Sequence, residues 1–335
     1  MKKRIGFVTC KDLGPYFQSK KNPLFTHDDQ VAVDYLEERE LSIIPIIWGT
    51  PSVEITDLNL EALIVRSPWD YMDSESKRIG FKKWLEDLPP LNVMNNISLM
   101  LWNMDKRYLL DFKEQGVDTI ETAFLGRNED LDLIKIFREK GPFVIKPTIS
   151  AAAMDTYRVL NLEQAVSLKE GTHKDLKIPF ENIRSGRDFL LQPYIQEITV
   201  EGEWSLIFLN GEYTHSVLKV PEEGGWYVQD ERGGSVHCLK APEEAQEKAT
   251  TTFNKIPKAF KESHFFLKDE DKTLKHHPLY ARIDILKTKN GFKVSEVEMV
   301  EPELFFLYRE KGTFSPHKVA LEKFYQGIKK RIEHL

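Results

Sequence analysis

The sequence predicts an α/β protein built around more than one sheet, on three observations. Short apolar runs alternate with helical patterns over the first hundred residues, two Asn-Gly turns punctuate alternating segments further on, and an amphipathic helix closes the chain. At 335 residues and 39.0 kDa the chain exceeds what one hydrophobic core usually serves, so two or three packed subdomains are expected. The 41% hydrophobic and 30% charged residues are ordinary for a soluble globular protein. A net charge of −6 offers no basic field to nucleic acid or an anionic membrane. No apolar run approaches the ~20 residues a membrane helix needs. Cys10 and Cys238 have neither a CxxC partner nor a nearby histidine cluster, and read as buried thiols in a reducing, cytoplasmic setting.

The opening Met1-Lys2-Lys3-Arg4 precedes an apolar run too short for a leader peptide, and the run reads as a first strand at 4–9. Further strands are expected at 42–48 and 61–65. A helix should start at Thr26 as N-cap, carry Asp28 and Asp29 in its first turn and end near Arg39. This strand–helix–strand alternation argues for a small, mostly parallel sheet over 1–103. A second unit, 104–187, opens with a helix from Asp105 to Gln115 stopped by Gly116. Another helix, Leu131 to Lys140, stops at Gly141-Pro142, and a strand Phe143–Pro147 leads into the small-residue stretch Ser150-Ala151-Ala152-Ala153. From 188 to 335 the chain reads as antiparallel, with hairpins at Asn210-Gly211 and Asn290-Gly291 and a last helix from Pro316 to His334 covering a sheet face.

The hairpin Tyr280 to Pro302 carries the most chemistry. Alternation puts Arg282 and Asp284 on one face of its first strand, and Glu296 and Glu298 on one face of its second. Like charges on neighbouring strands repel, so a fold keeps them only with a compensating cation. An all-oxygen donor set without His or Cys suits Mg²⁺; taken alone, the pattern equally fits a solvated outer face. For Asp284 to face Glu296, the midpoint of the pair must fall at residue 290. That demands an odd loop, most simply Lys289-Asn290-Gly291 with Gly291 left-handed in a G1 bulge. A two-residue Asn290-Gly291 turn would set Asp284 opposite Val297, and a bulge elsewhere could restore the register. The expectation is therefore spatial: Asp284, Glu296 and Glu298 converge on one metal ion, with Arg282 beside them.

Two lysines add to this. Lys146 ends a strand before Pro147 and the small-residue stretch, where a point charge suits a phosphate and small side chains let backbone N–H groups approach it; alone, it also fits a lysine snorkelling to solvent. Lys106 lies in a first helical turn, where it opposes the helix dipole and a nearby anion would account for it, though an ordinary surface lysine would look the same. His276-His277 reads as loop surface, since neither G-x-S-x-G nor H-E-x-x-H occurs; nor does G-x-x-x-x-G-K-[ST] or G-x-G-x-x-G.

In this order the pieces resemble the ATP-grasp superfamily, over nearly the whole chain. The stretches Arg66-Ser67-Pro68-Trp69-Asp70-Tyr71, Lys146-Pro147-Thr148 through Ser150-Ala151, and Glu296 through Glu298 to Glu301-Pro302 look closest to its glutathione synthetase-like branch, and within it to the cyclo-ligase of cycloserine biosynthesis. The resemblance implies an ATP-grasp fold behind an N-terminal α/β domain. It implies ATP and Mg²⁺ (or Mn²⁺) as cofactors, and ligation of a carboxylate to an amine through an acylphosphate on a small amino-acid-like substrate. A phosphotransferase or an inactive nucleotide-binding module are the alternatives.

Carried over residue by residue, Lys106 and Lys146 hold phosphates, and Gln192, Tyr194 and Ile195 form the adenine hinge. Glu203 takes the ribose, Lys219 with Gly233-Gly234 meets phosphate and acyl substrate, Arg282 acts in catalysis, and Asp284, Glu296 and Glu298 bind metal. Two departures stand out: Glu298 where the family has Asn, and alanines where its lid has glycines. Arg66, Trp69 and Asp70 match first-domain substrate contacts, although an Arg66–Asp70 turn pair beneath Trp69 would look the same. Relatives of this kind often form dimers or tetramers, which leaves a homo-oligomer open.

Overall fold

The structure is a computed structural model that describes residues 2–127, 129, 131–176, 178–263, 277–310 and 313–333. His276, and His334 at the expected end of the last helix, lie outside the described residues. Three sheets follow one another along the chain. The first is wholly parallel, in the order β2-β1-β3-β4: β1 Lys3–Thr9, β2 Leu41–Ile47, β3 Ala62–Ser67 and β4 Val93–Met94. Pro45 sits in β2, an edge strand, where a missing N–H is tolerated. Thr26 caps the helix His27–Glu37 as expected, its hydroxyl accepting from the Asp29 amide at 2.9 Å.

The second sheet is antiparallel, in the order β5-β8-β6-β7: β5 Ala123–Leu125, β6 Phe143–Pro147, β7 Tyr157–Val159 and β8 Phe189–Pro193. In β6 the buried residues alternate. Phe143 and Ile145 face a core shared with Leu133, Ala165 and Leu168 of two covering helices, which leaves Val144 and Lys146 on the opposite face. The expected helix after Asp105 is shorter, Tyr108–Glu114, because Asp105 and Lys106 form a turn whose backbone bonds back to Thr148.

The third sheet, also antiparallel, has the order β11-β10-β9-β12-β13: β9 Glu203–Leu209, β10 Glu212–Val220, β11 Ser235–Cys238, β12 Tyr280–Thr288 and β13 Gly291–Glu298. Asn210-Gly211 forms the two-residue turn the sequence announces, both residues left-handed, with Leu209 opposite Glu212. Ala281, Ile283, Ile285, Val297 and Met299 pack against Phe253 and Ile256 of the helix Glu243–Lys261. A two-stranded ribbon, β14 Leu307–Glu310 and β15 Thr313–Pro316, precedes the last helix, Lys318–Glu333. No helix among the described residues is long and apolar enough to cross a membrane.

The β12–β13 register departs from expectation in an instructive way. The loop is not Lys289-Asn290-Gly291 but the two residues Lys289-Asn290, with Thr288 opposite Gly291. Continued unbroken, that register would put Asp284 opposite Ser295. A bulge on β13 absorbs one residue between the pairs Ile285–Val294 and Asp284–Glu296, so Asp284 faces Glu296 after all.

The bulged strand lies at a sheet edge, and side chains complete its outer hydrogen bonds. The Tyr108 hydroxyl accepts from the Val297 amide, and Asn103 bonds both the Val297 carbonyl and the Met299 amide. Asn95 donates to the Tyr280 and Met299 carbonyls and accepts from the Leu279 amide, pinning the hairpin to the first sheet. Asn95→Ala leaves these buried groups unpaired and puts alanine at a φ of 63°. Urea unfolding should show a loss of about 2–4 kcal/mol, from unpaired polar groups and left-handed backbone together.

Candidate active site

A cleft of about 620 Å³ opens between the second and third sheets and is walled at one end by the first. Alternation on β6 aims Lys146 into it, and the faces of β9, β10, β12 and β13 opposite the third sheet's core contribute Glu203, Lys219, Arg282, Asp284, Glu296 and Glu298. Lys106 reaches in from the turn before its helix. Gln192, Tyr194 and Ile195 line the side toward the strand crossover, with Ile120, Val144 and Ile198 around them. The structure thus gathers the expected phosphate lysines, hinge residues, Glu203, Lys219, Arg282 and three carboxylates into one cavity, but not Gly233-Gly234.

Their contacts differ from a ready metal cage. Glu296 takes Lys106 at 2.9 Å and Lys146 at 4.0 Å. Asp284 accepts from Ser205 at 2.6 Å and Arg282 Nε at 3.1 Å, with Lys219 at 3.4 Å. Glu298 pairs with Arg282. Among the described residues no three acidic, His or Cys side chains are grouped closely enough to hold a metal ion, so the expected convergence of the three carboxylates is not seen. The physical reason lies in the contacts: like charges on one face turn to the nearest cation rather than to each other. The donor chemistry still fits Mg²⁺, which is satisfied by one or two carboxylates together with phosphate oxygens and water.

These pairings set the proton affinities. Burial pushes the Asp284 and Glu296 carboxyls up, but Arg282 and Lys219 for the first, and Lys106 and Lys146 for the second, outweigh it and hold both below the usual range. Glu298 goes the other way: burial, reinforced by Glu296 and Asp284, overcomes Arg282 and pushes it up to about 8. Burial likewise pushes Glu301 up to about 7. Lys146 is lowered by burial and by Lys106. Lys219 is raised despite its burial, held by Asp284 and Glu203.

Several side chains have partners the sequence did not name. Glu203 is fixed by Lys219 at 2.6 Å and by the Ser295 hydroxyl at 2.9 Å, a contact the bulge makes available. Gln192 donates to Thr122, and the Tyr194 hydroxyl accepts from Arg158. Gly233-Gly234 falls outside the cleft lining, folded against Glu222 and Val228. Arg66 is not in the lining either: it is buried, pairs with Asp29 at 2.9 Å and donates to the Pro302 carbonyl. The Arg66–Asp70 turn pair does not form, because Asp70 is taken by the Trp48 indole and Lys77 while lining the cleft beside Trp69. His277 is exposed, as expected of a loop.

Sequence reasoning missed the loop Trp226-Tyr227-Val228-Gln229 and the turn Asp12-Leu13-Gly14, all in the lining. Two aromatics directly after Gly224-Gly225 were the available signal for the first. The alanine lid lines the cleft with Ala152 and Ala153 left-handed, a strain on the order of 1 kcal/mol each. Ile149, Ala151 and Met154 offset it by packing on the core of the first sheet.

Comparison with known proteins bears on this geometry. A family described as the N-terminal domain of D-cycloserine synthetase DcsG matches residues 5–95. The chain is 25% identical, over 279 residues, to cycloserine biosynthesis protein DcsG of Streptomyces lavendulae, covering 82% of this chain and 84% of that one. The crystal structure of D-cycloserine synthetase DcsG superposes with a TM-score of 0.73 at 20% identity, over 98% of this chain and 99% of that chain. D-alanine–D-alanine ligase from Bacillus anthracis complexed with ATP superposes with a TM-score of 0.59 at 15% identity, over 99% and 98%. The fold is therefore that of the ATP-grasp ligases, as the sequence implied.

Glu298 offers a test of the electrostatics. It ionises near 4.5 when unfolded and near 8 when folded, so in that interval only the folded protein holds the proton. Its contribution to stability consequently falls as pH rises from about 4.5 to about 8. Glu298→Gln removes the titration. In metal-free buffer the variant should melt above the wild type by a margin that widens from pH 5 to pH 8. A constant margin would mean that Glu298 is ionised in the folded protein throughout.

Proposed function

We propose that this chain is an ATP-dependent carboxylate–amine ligase that joins a small amino-acid-like substrate through an acylphosphate and releases ADP and phosphate. The observation that carries this reading is the convergence, from two sheets and a turn, of Lys106, Lys146, Lys219 and Arg282 on the carboxylates of one cleft. Similarity to DcsG, and a structural neighbour solved with ATP, support it.

The residues divide the work. Ile120, Val144, Gln192, Tyr194 and Ile195 form a slot suited to adenine, and Glu203 stands beyond it for the ribose hydroxyls. Lys106 and Lys146 neutralise phosphate oxygens, exchanging Glu296 for them. A substrate carboxylate oxygen then attacks the γ-phosphorus, the bond to the bridging oxygen breaks, and ADP leaves. Arg282 and Lys219 stabilise charge on the transferring group and on the tetrahedral centre that follows when nitrogen attacks. Asp284, Glu296 and Glu298 would hold Mg²⁺, which when bound neutralises charge on the phosphates. No protein nucleophile is needed: positioning and preorganised charge supply the catalysis.

A phosphotransferase would use the same machinery, and products separate the two. Purified protein screened with amino acids and dipeptides should release phosphate and yield a dehydrated, joined product; a stable phosphorylated product would favour the kinase. Mg²⁺–ATP should also raise the melting temperature through linkage. Lys146→Met keeps the stem and removes the charge. It should weaken Mg²⁺–ATP binding by about 1.5–3 kcal/mol, the worth of a charged hydrogen bond, and the melting temperature of the free protein reports separately the cost of leaving Glu296 with Lys106 alone. Unchanged affinity would remove Lys146 from the phosphate site.

A further inference from the structure

Glu301, the third carboxylate of the Glu296–Glu298–Glu301 series, has no role in the mechanism above. It follows β13 and stands in the wall between the cleft and a second cavity of about 40 Å³, both of which it lines. Its backbone carbonyl accepts from the Trp69 indole at 3.2 Å and its Oε1 from the Tyr71 hydroxyl at 2.7 Å. Oε2 is shielded from solvent and has no hydrogen-bond partner among the described residues, an expensive arrangement unless something is meant to occupy it. Tyr71 sits on the short turn Trp69–Asp73 of the first domain, so the carboxylate is oriented from the substrate end of the cleft. Lys106, Arg282, Glu296 and Glu298 face it from the phosphoryl-transfer end, and Tyr280 from the first strand of the hairpin.

We propose that Glu301 is the general base that takes the proton from the attacking amine in the second half-reaction, with Tyr71 as its positioning residue. This rests on the ligase reading. An amine enters neutral water as an ammonium ion, without a lone pair to attack, and the cations of the cleft are all paired to carboxylates. In the step, the nitrogen lone pair forms the C–N bond to the acyl carbon and the C–O bond to phosphate breaks. Of the two protons the ammonium must give up, Glu301 takes the one that frees the lone pair and passes it to solvent. Phosphate leaves with the electron pair of the broken C–O bond and takes up the proton shed as the amide forms. A carboxyl pushed up to about 7 by burial is matched to accepting a proton at neutral pH. Asp284 and Glu296, held low by their cations, are not.

The two half-reactions can be separated with hydroxylamine, which is unprotonated at neutral pH and traps an acylphosphate as a hydroxamate without needing a base. With an acid found in the amino-acid and dipeptide screen, Glu301→Gln should lose amide formation about 100-fold or more while keeping ATP-dependent hydroxamate formation within a few-fold. Its melting temperature reports whether the fold survives. Should Glu301→Gln fail to fold, Tyr71→Phe keeps the carboxylate and removes the hydroxyl that lowers its proton affinity. That variant should selectively slow amide formation and move its acidic limb to higher pH. Equal loss of both activities would overturn the proposal by assigning Glu301 to binding or phosphoryl transfer, and unchanged amide formation would overturn it outright. Absence of hydroxamate from the wild type across the whole screen is the separate outcome that sinks the ligase reading.

Discussion

Crowded carboxylates need cations, and most of this molecule's architecture answers that need. Asp284, Glu296 and Glu298 share one face of a hairpin by strand alternation, and repulsion among them would unfold the face without compensation. The compensating charges come from separate places: Lys106 from a turn, Lys146 from the second sheet, Lys219 from a neighbouring strand, and Arg282 from the hairpin itself. Buried pairs like these add little net stability, since desolvation offsets the attraction, but losing one partner is costly. Their consequence is geometric. Lys146 from the second sheet and Lys106 from its turn reach across the cleft to Glu296 of the third sheet, while Lys219 and Arg282 compensate charge within that sheet.

The same constraint governs backbone detail. A Lys289-Asn290 loop alone would have set Ser295 opposite Asp284. The bulge at Ser295 returns Glu296 to the charged face, and Ser295 itself remains in the cleft lining, bonded to Glu203. The correction also reaches the outer edge of β13, where Tyr108, Asn103 and Asn95 take up the backbone groups a bulged strand presents.

This explains what could and could not be read from the sequence. Period-two patterning, Asn-Gly turns and caps are local, and they located the strands, the Thr26 helix start and the cleft-facing side of the hairpin. The Asn210-Gly211 turn was legible because its two residues impose one backbone geometry. Position 290 was not, because the bulge that sets its register lies five residues away and is dictated by the neighbouring strand and by Glu203. Arg66 illustrates the larger gap. Its neighbour Asp70 suggested a local pair, whereas its partner Asp29 lies thirty-seven positions earlier and meets it only once β1 and β3 are parallel neighbours. Loops such as Trp226–Gln229 carry no periodicity, so their place in the cleft emerges only from the fold.

Charge counting in the cleft leads one step further. Glu203, Asp284, Glu296, Glu298 and Glu301 face Lys106, Lys146, Lys219 and Arg282, and Asp12, Asp70, Asp73, Glu231 and Glu303 also line the cleft. Carboxylates therefore outnumber cations there by ten to four, and Glu298 and Glu301 are driven toward the protonated form. On the proposed ligase reading, a triphosphate would bring several more negative charges into this volume. Lys106 and Lys146 can turn to it only by releasing Glu296, whose low proton affinity depends on them. Freed of its lysines beside a polyanion, Glu296 must either take up a proton or find a divalent cation. An oxygen-only pair with Asp284 directly opposite favours the cation. The Asn-to-Glu departure at position 298 sharpens this, since it adds a carboxylate that Arg282 alone cannot fully compensate. On the proposed ligase reading, nucleotide and metal would therefore enter together.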